Sequence, residues 1–300
     1  SAASLWCESR SSPGSYTKPL SAFVGGGFLF SGSGIPDNSM MTSNPRTIAE
    51  RLGPKWAHVA VECLDRVDST SAWLARAELK RPTMVTAEEQ TRGRGRRGRR
   101  WASPPGGLYV SVGWKVLPGT LIPPALPLVV GIYLCEGLEA LGITGPRLKW
   151  PNDLVVNGAK LAGILVESID NATEGRSFVI GIGLNLQTPS EGAHLPPDRE
   201  AIGLEDIGAV PAREVLVAAA ARAALEAGSL EPAAVSALMA EQWPAWDALA
   251  GRVCTIEHAN GETCQGVVQG VTDEGALRLE TEEGFRILWS GECRVRGGWE

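Results

Sequence analysis

The feature that most constrains the fold is a tight turn at Asn157-Gly158. An Asn-Gly pair between two apolar runs is a strong signal for a type I′ hairpin, because both central residues must take positive φ. The flanking apolar runs are residues 154–156 and 160–167. The fold is therefore expected to contain an antiparallel strand pair at this point.

Further strands and helices follow from hydrophobic spacing along the chain. Alternating or turn-bounded apolar runs predict strands at residues 58–67, 83–88, 108–116, 147–150 and 178–186. Helical spacing and capping residues predict helices at residues 46–52, 71–80, 124–141, 212–227 and 231–249. Strands that pair through hairpins, with helices segregated between them, indicate an α+β domain with a mixed or antiparallel sheet.

Beyond Gly251 the sequence pattern changes to short alternating segments separated by turns. Short alternating segments at 253–257, 264–271, 276–280 and 285–289 are separated by Asn-Gly, Asp-Glu-Gly and Glu-Gly turns. Turns at this spacing are typical of a small β-barrel. We therefore expect a main domain at 45–249 and a C-terminal domain at 250–300.

The first residues differ in composition from the rest. Residues 1–44 are rich in Ser, Gly and Pro and have no sustained hydrophobic period, so we interpret them as a disordered leader or extension. Low acidity leaves a transit peptide open, although Lys and Arg are sparse. Met40 and Met41 are candidate starts of translation.

Cysteine usage and hydropathy limit the class of protein. The six cysteines form no C-x-x-C pair, which argues against structural zinc and favours reduced thiols in the cytoplasm. The longest apolar runs are too short for a membrane span. The sequence leaves homodimer formation open.

A cationic loop at residues 92–100 predicts an anion-binding site. Residues 92–100 hold six arginines and three glycines in a chain of net charge −6, so positive charge is concentrated there. Guanidinium groups this close repel one another, and glycines let the backbone approach a ligand, so an anion is expected. A solvated basic loop or a nucleic-acid patch is the alternative.

A second group of polar residues lies about fifty residues further along the chain. Residues 149–153 read K-W-P-N-D, Lys160 follows the hairpin turn, and Asn185 ends a glycine-rich strand. P-loop, serine-hydrolase and zinc-protease motifs are absent from the sequence. The inventory suits the joining of a carboxylate to a nucleotide phosphate, which needs fixed positive charge and positioning.

These segments together resemble the signature blocks of the biotin protein ligases. The blocks are G-R-G-R-R-G-R-R-W at 93–101, K-W-P-N-D at 149–153, K-L-A-G-I-L-V-E at 160–167 and G-I-G-L-N at 181–185. Asp68-Ser69-Thr70 and residues 103–111 also match. The resemblance implies a catalytic domain like that of class II aminoacyl-tRNA synthetases, an SH3-like C-terminal barrel, and formation of biotinyl-5′-AMP from biotin and ATP with Mg²⁺.

The resemblance also implies the roles of individual residues. Biotin would be bound by Ser69, Thr70, Ser71, Gln90, Arg94, Gly95, Arg96 and Lys160. ATP would be bound by Arg94, Arg96, Arg99, Lys149, Asn152, Asp153 and Asn185. Lys160, Arg96 and Asp153 would be catalytic, with Asp153 also helping to place Mg²⁺. Ser71 departs from the family, which usually has asparagine there.

Several of these residues also have structural interpretations. Ser69 and Thr70 could act only as helix caps, and Asp153 could be a turn former after Pro151. Arg99 could stay solvated or meet the departing pyrophosphate. Trp101 and Trp150 are expected to anchor their loops more than to stack on a ligand.

The resemblance also implies a protein partner that accepts biotin. This partner is the biotin carboxyl carrier domain of a carboxylase. Without a helix-turn-helix pattern or a basic helical face, no sequence-specific DNA binding is expected. The alternatives are a lipoate or octanoate ligase of the same fold and an arginine-glycine RNA-binding protein.

Overall fold

The computed structural model describes residues 43–117, 119–171, 175–189 and 200–299. All of them belong to one compact unit, Met40–Glu300. Most of the predicted leader and part of the loop after β7 lie outside the described residues. Asn44 does not: its side chain accepts hydrogen bonds from the backbone of Arg46 and Thr47 and caps the first helix.

The main domain contains a mixed seven-stranded sheet and five helices within the described ranges. Its helices are α1 (Pro45–Leu52), α2 (Thr70–Arg76), α3 (Leu126–Ala140), α4 (Arg213–Gly228) and α5 (Pro232–Trp246). Its strands are β1 (Ala60–Val67), β2 (Thr83–Gln90), β3 (Leu108–Lys115), β4 (Arg147–Lys149), β5 (Asp153–Val156), β6 (Ala159–Asn171) and β7 (Gly175–Leu184). The predicted α+β class is confirmed.

The sheet runs in the order β1-β2-β3-β7-β6-β5-β4. β1 and β2 are parallel and joined through α2, whereas the other neighbours are antiparallel. The predicted β5–β6 hairpin is present, with φ of 49° at Asn157 and 88° at Gly158. The sheet therefore brings β3, β7, β6 and β5 side by side.

Alternating residues on the strands face two separate cores, as the period of a strand requires. Met84 and Ile180 lie in the large core, while their neighbours Val85 and Val179 pack in a second core with Leu74 of α2. The large core also contains most of α3, which is apolar along its length. Helix α2 thus packs on one face of the sheet and α3 on the other.

The helix after Ser69 is shorter than its sequence predicts. We expected residues 71–80, but α2 ends at Arg76 because Ala77 takes extended angles, φ −77° and ψ 143°. Leu79 beyond it is buried in the second core with Leu74. Tertiary packing of this residue overrides the local helical propensity.

The C-terminal segment forms a five-stranded antiparallel sheet. Its strands are β8 (Val253–Glu257), β9 (Thr263–Val271), β10 (Leu277–Thr281), β11 (Gly284–Leu288) and β12 (Glu292–Val295). The order is β11-β10-β9-β8-β12, and within the described residues no pairing joins the two edge strands. The five strands agree with the small all-β domain that the sequence predicted, although no closure into a barrel is seen within the described residues. β12 is a strand that sequence patterning missed. The predicted boundary at residue 250 stays a prediction.

A hydrogen bond from a tryptophan connects the main domain to the C-terminal segment. The indole Nε1 of Trp150 donates to the carbonyl of Gly275 at 3.0 Å. At the end of the main domain, the backbone N–H of Ala248 donates to the carbonyl of Leu148 at 2.8 Å. Trp150 is 2% exposed, so it acts as the anchor that the sequence predicted. None of the helices in the described ranges is long and apolar enough to cross a membrane.

Candidate active site

A cavity of about 390 Å³ opens between the sheet, the arginine loop and the start of β12. Its wall includes every residue that the sequence assigned to the site. These are Ser69, Thr70, Ser71, Gln90, Arg94, Gly95, Arg96, Arg99, Lys149, Asn152, Asp153, Lys160 and Asn185. Segments separated by more than a hundred residues thus share one cavity.

The arginine loop is closed on itself by backbone hydrogen bonds. The N–H of Gly95 donates to the carbonyl of Arg99 at 2.8 Å, and the N–H of Trp101 donates to the carbonyl of Gly93 at 2.9 Å. Arg97 at the tip takes a positive φ of 56°, a sparsely populated region for a residue with a side chain. The loop is therefore a narrow finger whose two sides are joined by backbone hydrogen bonds.

Three arginines of this loop meet partners from different parts of the chain. Arg94 lies 2.8 Å from the Glu167 carboxylate, and Arg99 lies 2.9 Å from the Glu292 carboxylate. Arg96 donates to Asn152 Oδ1 at 3.3 Å. These contacts hold the loop over the cavity.

Burial shifts the pKa values of two side chains in these contacts, Arg96 and Glu167. Burial lowers the pKa of the Arg96 guanidinium, with Glu292 and Asp153 acting in the opposite direction. Burial also raises the pKa of the Glu167 carboxyl, opposed by Arg94. A partly buried guanidinium whose desolvation outweighs the effect of its neighbouring carboxylates favours an incoming anion.

Lys160 and Asp153 form an ion pair in the wall of the cavity. The two side chains are 16% and 14% exposed, and Nζ lies 2.6 Å from Oδ1. That oxygen is buried and has no well-directed hydrogen bond besides this electrostatic contact. The β5–β6 hairpin carries both residues, because Asp153 begins β5 and Lys160 is the second residue of β6. The pair sets a cation beside a carboxylate that has remaining acceptor capacity.

Buried hydroxyls form the polar wall of the cavity near α2. Thr70 donates to Gln90 Oε1 at 3.1 Å, and its hydroxyl lies 2.7 Å from that of Ser111, which lies 3.0 Å from that of Ser71. Since each hydroxyl has one proton, the chain of donors runs Ser71 to Ser111 to Thr70 to Gln90. Ser69 is the N-cap of α2 and accepts from Ala72 N, so the capping interpretation holds for Ser69, which also lines the cavity.

Trp101 covers the glycine strands at the floor of the cavity. A Cβ on Gly183 would lie 2.6 Å from the indole Nε1, and a Cβ on Gly163 would lie 2.8 Å from its Cζ3. The ammonium of Lys160 lies 5.0 Å from the ring centroid. Only glycine lets the indole lie this close to β6 and β7, so Trp101 both anchors its loop and lines the site.

The two predicted asparagines are held by backbone carbonyls. Asn185 Nδ2 donates to the carbonyls of Lys160 at 3.1 Å and Ile202 at 3.3 Å. Asn152 Nδ2 donates to the carbonyl of Ile164 at 2.8 Å. Because their amide nitrogens are bound in this way, both residues keep their amide oxygens for contact with the loop or with a ligand.

Sequence reasoning missed Ser111 and Glu292 as site residues. Ser111 lies in a β3 segment that otherwise reads as apolar, and a lone hydroxyl in such a strand could have been noticed as a buried polar group that needs a partner. Glu292 begins a strand that sequence patterning did not find. No local signal marked it.

The arginines and lysines that line the cavity suit anionic substrates, and comparison with known proteins gives the class. Residues 63–185 match the biotin/lipoate A/B protein ligase family, and residues 250–296 match the biotin protein ligase C-terminal domain. The second match narrows the class, because it describes a domain of biotin protein ligases. The chain belongs to the biotin protein ligase family.

Individual relatives agree with that assignment. The chain is 34% identical over 240 residues to the bifunctional ligase/repressor BirA of Escherichia coli, covering 79% of this chain and 74% of the relative. It is 32% identical over 244 residues to a biotin–[acetyl-CoA-carboxylase] ligase of Paracoccus denitrificans, covering 78% of this chain and 100% of the relative. The biotin protein ligase of Aquifex aeolicus, solved with biotin and ATP, superposes with a TM-score of 0.64 at 28% identity, over 80% of this chain and 98% of that one.

Proposed function

We propose that this protein activates biotin with ATP and transfers it to a lysine of a biotin carboxyl carrier domain. The observation that carries the proposal is that Arg96 of the loop and Lys160 of the hairpin line the same cavity. Family membership supports the same activity, and the biotin-specific C-terminal match favours biotin over lipoate. The arginine-glycine RNA-binding alternative leaves the Lys160–Asp153 pair without a role.

The hydroxyl-lined wall suits the ring end of biotin. Ser69, Thr70, Ser71 and Gln90 present several donors and acceptors on a buried surface next to Ser111. A site built from buried polar groups selects ligands that satisfy them, because a mismatched ligand leaves them unpaired. In this proposal the ring head binds there and the carboxylate points toward Lys160.

Positive charge along the rest of the cavity suits the nucleotide. Lys149, Arg96 and Arg99 would meet the phosphates, and Asn185 would meet the adenine through its amide oxygen. In the first step a biotin carboxylate oxygen attacks the α-phosphorus and pyrophosphate leaves. Lys160 stabilises the negative charge that gathers between the two reacting groups, which repel each other in its absence.

In the second step the acceptor lysine amine attacks the biotinyl carbonyl and AMP leaves. A mixed anhydride hydrolyses where water reaches it, so the arginine loop must cover the adenylate until the acceptor arrives. In this proposal Arg94, Gly95 and Arg96 would cover the adenylate, since they belong to the loop that lines the cavity. The same loop would thus help to form the adenylate and then keep it in the cavity.

The residues present fit Mg²⁺ only with help from the substrate. Among the described residues no three His, Cys, Asp or Glu side chains form a metal-binding group, whereas Asp153 offers one buried carboxylate oxygen with remaining acceptor capacity. Mg²⁺ is commonly held by one or two carboxylates together with substrate phosphates. Bound in that way, the ion would neutralise phosphate charge beside Asp153.

One assay tests the proposal directly. Purified protein with ATP and labelled pyrophosphate should exchange label in the presence of biotin, and labelled biotin should then appear on a carrier domain. Exchange with lipoate or octanoate but not biotin would reassign the substrate, and RNA affinity without any exchange would refute the ligase function. The acceptor carboxylase, a cytoplasmic location, homodimer formation and the expected lack of operator binding stay predictions.

A further inference from the structure

Trp299 lies where the C-terminal segment meets the β5–β6 hairpin. The residue is partly buried, and it is not part of the cavity wall. Lys149 Nζ lies 5.6 Å from its ring centroid and Arg252 Cζ lies 5.0 Å from it. Cations within about 6 Å of an indole face are attracted by the ring. Trp299 therefore gathers two cations, one of which reaches the cavity.

The position of this indole is fixed by a second contact. A Cβ on Gly158 would lie only 2.1 Å from Cδ1 of Trp299, so the ring rests on the backbone of the hairpin turn. That turn joins β5, which begins with Asp153, to β6, which carries Lys160. The same side chain thus touches Lys149 and the hairpin that presents the central ion pair.

Such a support suits the chemistry of Lys149. It is the last residue of β4, is half-buried and lines the cavity. A lysine ammonium on a four-carbon stem has many rotamers, and ordering it is entropically costly. An aromatic ring that attracts the ammonium reduces the number of positions that the stem visits.

We propose that Trp299 is a positioning residue that holds the Lys149 ammonium at the cavity wall for the phosphates of ATP. The inference rests on the proposed function, in which Lys149 binds ATP. Arg252 supports the arrangement, because its guanidinium shares the ring while its Nε donates to the carbonyl of Ala248 at 3.2 Å. The C-terminal segment thereby contributes to nucleotide affinity from outside the cavity.

Three substitutions in the full chain separate the ring's electrostatics from its volume. In biotin-dependent ATP–pyrophosphate exchange, Trp299→Ala and Trp299→Leu should raise KM for ATP about two- to tenfold, since both remove the π face. Their kcat and KM for biotin should stay unchanged. Trp299→Phe should keep KM for ATP within about twofold of the wild type, because a phenyl ring retains a weaker π face. Trp289→Ala, at a 58% exposed tryptophan of the C-terminal segment, is the matched control and should change nothing.

A double substitution tests whether Trp299 acts through Lys149. Lys149→Met alone should raise KM for ATP, and Trp299→Ala added to it should have no further effect. Additive effects would overturn the proposal, as would an unchanged KM for ATP in Trp299→Leu. A fall in kcat for all Trp299 variants in parallel with thermal stability would indicate a structural role and would also overturn it. If the wild type shows no biotin-dependent exchange, the proposed function fails instead, so the two failures are distinguishable.

Discussion

The guanidinium of Arg99 lies 2.9 Å from the carboxylate of Glu292. The first residue belongs to the arginine loop and the second begins β12 of the C-terminal sheet. The loop is therefore tied to two parts of the molecule, since Arg94 pairs with Glu167 of β6 in the main sheet. The Arg99–Glu292 contact thus joins the arginine loop to the C-terminal sheet at the edge of the cavity.

Glu292→Gln should loosen the empty loop. The Arg99 side chain is 46% exposed, and ion pairs this exposed contribute ~1 kcal/mol or less, so opening should increase by up to about fivefold. The rate of trypsin cleavage within residues 92–100, measured without ligands, checks this. Glu283→Gln, which removes the partner of Arg286, is the matched control. Equal cleavage rates for both variants and the wild type would show that the contact does not restrain the loop.

Lys160→Ala should suppress adenylate formation about 100-fold or more, because it removes positive charge from the place where the two anions meet. The structure adds a cost in stability: Asp153, only 14% exposed, would lose its ion-pair partner, which should destabilise the fold by ~1–3 kcal/mol. Adding Asp153→Asn should restore thermal stability but not exchange activity. Normal ATP–pyrophosphate exchange in Lys160→Ala alone would refute the role of Lys160.

Arg96→Gly should release the adenylate early. The substitution removes the guanidinium that spans from the loop to Asn152, so the loop would cover the intermediate less well. Labelled biotin should then appear on unrelated lysines of an added bystander protein as well as on the carrier. The control is Arg97→Gly, at an exposed residue of the loop tip outside the main cavity. Labelling confined to the carrier in both variants would refute retention by Arg96.

The parts of the site that the sequence predicted are those in which the chemistry lies in short contiguous segments. The arginine loop, the K-W-P-N-D turn and Lys160 each combine unusual residues with turn signals, so their presence at one cavity could be inferred from local patterns and family resemblance. The hairpin at Gly158 was predictable for the same reason, because asparagine and glycine readily adopt the positive φ that a type I′ turn requires.

The parts that sequence reasoning missed depend on partners distant in the chain. β12 is a four-residue strand, Glu292–Val295, that exists because it pairs with β8. The early end of α2 at Arg76 and the place of Leu79 are set by packing against Val85 and Val179. The position of Trp101 depends on missing side chains at Gly163 and Gly183, which no local pattern relates to that tryptophan.

Gly183→Ala should weaken biotin binding by displacing this indole. The added Cβ would lie 2.6 Å from Nε1 of Trp101, closer than a real Cβ contact, so the ring must move into the cavity or away from β7. We expect KM for biotin to rise about tenfold or more, since overpacking costs ~1–3 kcal/mol. Gly208→Ala is the control, because a Cβ there meets nothing within 4 Å. An unchanged KM for biotin would mean that the indole position does not shape the site.

Asp68→Asn should change the acid stability of the α2 region. Asp68 binds Arg76 through two hydrogen bonds of 2.7 and 2.8 Å, and this contact lowers the pKa of the carboxyl from 3.8 to about 2. The folded state therefore binds this proton more weakly than the unfolded chain, so the stabilisation is complete above pH 3.8 and is lost as pH falls toward about 2. Since both side chains are partly exposed, the effect should be ~1 kcal/mol or less. Urea unfolding at several pH values checks it, because the difference in free energy of unfolding between wild type and Asp68→Asn should shrink toward zero across that window. A difference that stays constant from neutral pH to about pH 2 would mean that the Asp68–Arg76 contact does not hold the two ends of α2 together.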